Sequence, residues 1–193
     1  MIWSTMLGVL PISARLGIMT TMVTGAVPPE LTMVVVPVDS PDARDLQGRQ
    51  IAEMAQRYGG SGPAPLRGVE FEPPEGCFVV AVSEGAPVAC GGLRLLSPGV
   101  AEIKRMYVDP EARRRGIGAR VLVFLEERAR ATGYGETWLE TGIEQPEAIS
   151  LYVSAGYLPR APYGEFKDDP RSRCYFRDLA ADQVRSAPET STT

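Results

Sequence analysis

Ala101-Glu-Ile-Lys-Arg-Met-Tyr-Val-Asp-Pro-Glu-Ala-Arg-Arg-Arg-Gly-Ile-Gly-Ala-Arg120 runs from an extended segment, through a basic glycine turn, into a helix. That order builds an anion site. The first N–H groups of a helix lack intrahelical acceptors, and the helix dipole adds about half a positive charge at the same end, so a phosphate fits there. Gly116 and Gly118 let the main chain approach such a ligand, having no Cβ in the way. The extended part is not a clean two-faced strand. Ile103 and Tyr107 would share a face with Arg105, so a bulge or a ligand-facing stretch is expected.

Working outward, Leu31 to Val38 is rich in β-branched residues and reads as a first strand. Asp39-Ser-Pro-Asp42 starts a helix, with a side-chain cap and a proline just inside, that runs to about Tyr58. Gly59 to Gly76 is rich in Gly and Pro and reads as a loop. Cys77 to Val82 and Pro87 to Leu96 form a hairpin, and Ala101 to Val108 adds a third strand. Gly116 to Thr132 is an amphipathic helix, with Ile117, Val121, Phe124, Leu125 and Ala129 on one face and Glu126 and Arg130 on the wet side. A strand at Thr137 to Thr141 follows, then a short helix from Gln145 to Ala155 closed by Gly156, and a last strand at Arg173 to Arg177.

The chain has 193 residues, 44% hydrophobic and 23% charged, which suits one ordinary globular domain. A flexible extension over residues 1–27, a domain over 28–182 and a disordered tail over 183–193 are expected. No apolar run reaches the ~18–20 residues of a membrane span. The net charge of −4 argues against a nucleic-acid partner. There is no histidine, so a Ser-His-Asp or Cys-His system cannot be assembled, nor an HExxH zinc site. Proton transfer falls to Glu, Asp, Tyr, Lys or water. Cys77, Cys90 and Cys174 are too few and too widely spaced for a disulfide framework or a zinc ribbon, so they read as free thiols and no metal is expected. A cytoplasmic protein is the expectation.

Arg113-Arg-Arg-Gly-Ile-Gly118 is neither a dinucleotide fingerprint, because Val121 stands where the third glycine belongs, nor a Walker loop. It does resemble the R/Q-x-x-G-x-G/A signature of the GNAT superfamily of acetyl-CoA-dependent N-acyltransferases, after Tyr107-Val-Asp-Pro110 and before a long helix. A second motif is similar: Gln145-x-x-Ala148-x-x-Leu151-Tyr152-x-x-x-Gly156-Tyr157, with Gln145 where Asn is usual. The resemblance implies a mixed α/β fold, with a mostly antiparallel central sheet flanked by helices and a splayed, bulged strand that binds acetyl-CoA.

It further implies pyrophosphate on the main chain of Arg114, Arg115, Gly116, Ile117, Gly118 and Ala119, with Arg113 and Arg120 adding charge. Pantetheine would pair with Met106, Tyr107 and Val108, and Gln145 would touch the cofactor. Tyr152 corresponds to the family's general acid at the departing sulfur. Glu102 corresponds to the strand glutamate that serves as base in some members, Glu140 on the neighbouring strand is the second candidate, and either could act through water. The implied reaction is direct transfer of an acetyl group to the primary amine of a small molecule, an amino acid or amine metabolite. A protein lysine or N-terminal acceptor and a non-catalytic acyl-CoA-binding regulatory module are the alternatives. The superfamily is also compatible with a homodimer.

Overall fold

The computed structural model describes residues 30–181 apart from 61, 64, 65 and 67. The expected extension and tail lie outside the described residues. Seven strands and three helices follow in chain order: β1 Leu31–Val36, α1 Pro41–Tyr58, β2 Cys77–Ser83, β3 Ala86–Ser97, β4 Val100–Val108, α2 Ile117–Thr132, β5 Glu136–Gly142, α3 Pro146–Ser154, β6 Leu158–Arg160 and β7 Ser172–Asp178. They form one sheet of order β1-β2-β3-β4-β5-β7-β6. Every neighbouring pair is antiparallel except β4 and β5.

The middle strands are buried on both faces, and alternation sorts their side chains. Val79, Ala81, Leu93 and Ile103 pack with Val121, Leu122 and Leu125 of α2. Phe78, Val80 and Cys90 pack on the other face with Ala43 and Leu46 of α1 and with Phe71, from a 3₁₀ turn at Gly68–Phe71. Each of the large side chains removed from water contributes about 1.5–3 kcal/mol. All three cysteines are buried free thiols.

The expected bulge is present and has a specific consequence. Cys90 pairs with Tyr107 and Gly92 with Lys104, so the single residue Gly91 faces two, Arg105 and Met106. Arg105 takes φ +57° to make the extra step. A Cβ on Gly91 would lie 2.8 Å from Met106 Sδ, so the glycine is what admits Met106 at this point. One inserted residue reverses side-chain parity, which puts Ile103 in the cluster under α2 and Tyr107 in the cluster under α1. Pairing of β4 with β5 covers only Val100 to Ile103 against Glu136 to Leu139. The two strands part where the bulge begins.

Two local expectations need correction. Ser40 is the N-cap of α1, but its side chain makes no cap hydrogen bond, and Pro41 alone fits the start as expected. Glu126 does not lie on a wet face. It is 2% exposed, and Arg177 Nη1 of β7 donates to both its oxygens at 3.0 and 2.9 Å. The i,i+4 spacing to Arg130 carried no information about β7, which covers that side of the helix. Burial pushes the Glu126 carboxyl above its usual range even with Arg177 beside it.

Arg177→Met should therefore cost roughly 3 kcal/mol at pH 7, because it takes the ion-pair partner from a buried carboxylate and leaves it only Tyr157 and the charge of Arg130. With Glu126 then titrating still higher in the folded protein than its unfolded value of about 4.3, the folded state binds the extra proton, and stability falls as pH rises through that window. Denaturant unfolding should show a larger deficit at pH 8 than at pH 5. An equal deficit at both would mean that Glu126 is not the group left unpaired.

Candidate active site

The parting of β4 from β5 opens a cleft of about 680 Å³ on the α1 side of the sheet. Gln50, Met54 and Tyr58 of α1 form one wall, Glu102 to Met106 of β4 and Glu140 to Gly142 of β5 the floor, and the segment before β7 the far wall. Tyr152 belongs to the cluster on the α2 side, yet it lines this cleft. It does so from α3 through the gap that β5 leaves.

At that gap the carbonyls of β4 have side-chain partners in place of a strand. Met106 O accepts from Gln50 Nε2 at 3.1 Å, and Val108 O accepts from Arg113 Nε at 3.0 Å. Arg113 also pairs with Glu53 of α1, and Glu53 with Arg57, which reaches Glu147 of α3. Arg113 thus acts from its side chain on the protein, joining the turn to α1 and to the end of β4. Arg120 does likewise, with Nη2 on the Leu31 carbonyl at 3.1 Å.

The glycine turn has the features of an anion site. Arg114 and Gly116 adopt left-handed backbone, at φ +63° and +74°, and α2 starts at Ile117. Arg120 N donates to the Gly116 carbonyl, whereas the N–H groups from Arg114 to Ala119 have no acceptor among the described residues. Arg114 and Arg115 are exposed beside them. A Cβ at Gly116 would meet open space, while one at Gly118 would sit 3.4 Å from Leu151 Cδ2 and 3.5 Å from Val108 Cγ2. Those are ordinary van der Waals distances, so α3 and β4 pack close to the helix start without by themselves demanding glycine at 118. Met106 to Val108 connects this turn to the cleft.

The two carboxylates proposed from sequence share the cleft but differ in surroundings. Glu102 is 1% exposed, and its Oε2 accepts from Arg94 Nε at 2.7 Å and Nη2 at 2.6 Å. Its Oε1 accepts from Tyr163 Oη at 2.9 Å and faces Lys104 Nζ at 3.5 Å. Among the described residues Glu140 accepts one hydrogen bond, from Ser172 Oγ at 2.7 Å, and burial raises its carboxyl above the usual range. Tyr152 is 5% exposed; burial, and then the Glu140 charge, push its hydroxyl up from its usual value near 10. Gln145 is the N-cap of α3, with Nε2 3.5 Å from the Tyr58 hydroxyl. Tyr107 is buried under α1, outside the cleft lining. Gln50, Arg94 and Tyr163 escaped the sequence reading, because each acts through a partner 8 to 61 residues away with no local motif to mark it.

The acetyltransferase (GNAT) family matches residues 44–157. A protein named IAA acetyltransferase from Azospirillum brasilense is 42% identical over 96 residues, which are 49% of this chain and 63% of that protein. An uncharacterised N-acetyltransferase of Bacillus subtilis, YsnE, is 30% identical over 138 residues, 66% of this chain and 91% of that protein. A solved structure from Klebsiella pneumoniae, assigned as an acyl-CoA N-acyltransferase, superimposes with a TM-score of 0.65 at 28% identity, covering 77% of this chain and 97% of that one. A GNAT family acetyltransferase from Elizabethkingia anophelis with acetyl-CoA bound shares the fold at a TM-score of 0.55 and 16% identity, over 77% of this chain and 97% of that one.

Acetyl-CoA at about 100 times its Kd should stabilise the protein by about 2.7 kcal/mol and raise the unfolding midpoint by roughly 5–10 °C. Gly116→Val forces a β-branched residue into left-handed backbone, at a cost of about 1–2 kcal/mol, and should lose most of that shift. A variant with the full shift would remove this turn from the anion site.

Proposed function

Because the chain belongs to the acetyltransferase (GNAT) family, we propose that it transfers the acetyl group of acetyl-CoA to the primary amine of a small molecule by direct attack. The observation that carries this reading is the gap between β4 and β5. It joins a run of free N–H groups at the glycine turn to a cleft that holds Glu140 on its floor and Tyr152 in its wall. The N–H groups of Arg114 to Ala119 would hold pyrophosphate, with Arg114 and Arg115 adding charge and Arg113 and Arg120 fixing the turn. Met106 to Val108 would lie along the pantetheine.

Glu140 is the base in this reading. An amine arrives as an ammonium and must lose a proton before its nitrogen can bond to the thioester carbon. A half-buried carboxylate with one hydrogen bond among the described residues, raised in pKa, is the better acceptor of that proton. Glu102 already receives hydrogen bonds from Arg94 and Tyr163 at both oxygens, so it acts here as the anchor that positions Arg94 and Lys104. Tyr152, kept protonated by its buried site, gives its proton to the departing thiolate as the carbon–sulfur bond breaks. A hydroxyl close to the Glu140 charge can recover that proton, either directly or through water.

An acceptor in a folded protein would have to present its lysine past α1, Arg171 and Phe166, which line the cleft on several sides. A small amine fits that enclosure better. Resemblance to a protein named IAA acetyltransferase is in keeping with a small acceptor.

Tyr152→Phe should lower turnover by about 10²–10⁴-fold with little change in the acetyl-CoA thermal shift. The acid limb of the wild-type rate profile should lie above the ordinary glutamate value of about 4.3, since Glu140 must be ionised to act and burial raises it. Glu140→Gln should abolish that limb along with most of the rate. Unchanged turnover in Tyr152→Phe would remove it as the acid, and an unchanged limb in Glu140→Gln would hand the base role to Glu102 or water.

A further inference from the structure

The bulge does more than open the cleft. In a regular strand, Lys104 and Arg105 would point to opposite faces of the sheet. The inserted residue lets both line the same cleft, two cations in succession on its β4 side. Arg105 holds left-handed backbone at φ +57° to achieve this, a conformation that is strained for a residue with a side chain. Glycine would take the same backbone without strain, and strained backbone of this kind is concentrated at ligand sites. Lys104 is kept in place by Glu102 and Glu165 at 3.5 and 3.4 Å. Glu140 lies across the gap from this pair, on β5, one residue beyond the last β4–β5 pairing at Ile103 and Leu139.

We propose that the acceptor is an amino-carboxylate, a free amino acid or close analogue, whose carboxylate is read by Arg105 with Lys104 while its amine faces Glu140. Opposite charges on two walls of one cleft favour a zwitterion over a simple amine. The guanidinium fork matches a carboxylate in a way that an ammonium does not, so Arg105 supplies the orientation and Lys104 the added charge. Carboxylate recognition also presents the amine in one orientation, which is the larger part of what a positioned acceptor gains over a free one. This inference rests on the acetyl-transfer reading above and adds the chemical class of the acceptor.

The test compares kcat/KM, by thiol release from acetyl-CoA, for matched sets: an amino acid, its carboxamide and its decarboxylated amine, across several side chains. Wild-type protein should favour the best amino acid over its carboxamide by about 10²-fold or more. In Arg105→Gln that ratio should collapse toward unity, and Arg105→Lys should restore part of it. The wild-type ratio is informative by itself even if a variant fails to fold. Turnover of amines and carboxamides as fast as the amino acids would overturn the carboxylate assignment and leave acetyl transfer standing. No thiol release with any set, despite an acetyl-CoA thermal shift, would overturn both.

Discussion

One inserted residue in β4 is the constraint from which the site follows. Opposite Gly91 the strand carries Arg105 and Met106 together, and everything after that point is out of phase with what came before. Tyr107 turns under α1 where Ile103 had turned under α2. Hydrogen bonding to β5 stops at Ile103, and the sheet, closed on either side, has a gap in its middle. A gap of this kind would normally leave unsatisfied polar backbone, at about 1–3 kcal/mol for each buried group. Gln50 and Arg113 fill that need for Met106 and Val108, both held on the α1 side, which lets the opening persist in place of a neighbouring strand.

The gap also explains how residues from both faces of the sheet meet. Glu140 projects to the α1 side, whereas Tyr152 rises from a helix packed on the α2 side, and only where β5 has left β4 can the two share a cleft. The glycine turn follows two residues after β4's exit through Asp109 and Pro110, so its free N–H groups and the gap lie at the two ends of one short segment. The ion network from Arg113 through Glu53 and Arg57 to Glu147 fastens that arrangement to α1 and α3. Arg113 and Arg120 are thus engaged in architecture, which in the proposed reading leaves anion binding to the backbone N–H groups.

How much of this was legible beforehand depended on whether the cause was local. The strands and helices were, because β-branched runs, Pro41 and Gly133 write their signals within a few residues. The bulge was too, since the clash of Ile103, Tyr107 and Arg105 on one face breaks alternation within a single strand. Glu126 was misread because its partner, Arg177, is 51 residues away on β7. The different surroundings of Glu102 and Glu140 were equally hidden: Arg94 and Tyr163 reach Glu102 from β3 and from the turn before Gly164–Phe166, and no spacing announces that. Motif resemblance named the family and the candidate residues. Tertiary hydrogen bonds separate their roles.

The most direct test is amide hydrogen exchange along the chain with and without acetyl-CoA. If the gap and the turn together receive the donor, the amides of Lys104 to Val108 and of Arg114 to Ala119 should gain protection in parallel, while β1, β2 and β6 stay unchanged. Protection confined to some other surface, or none at a concentration of acetyl-CoA that stabilises the protein, would contradict the account that the bulged strand and the glycine turn form one donor site.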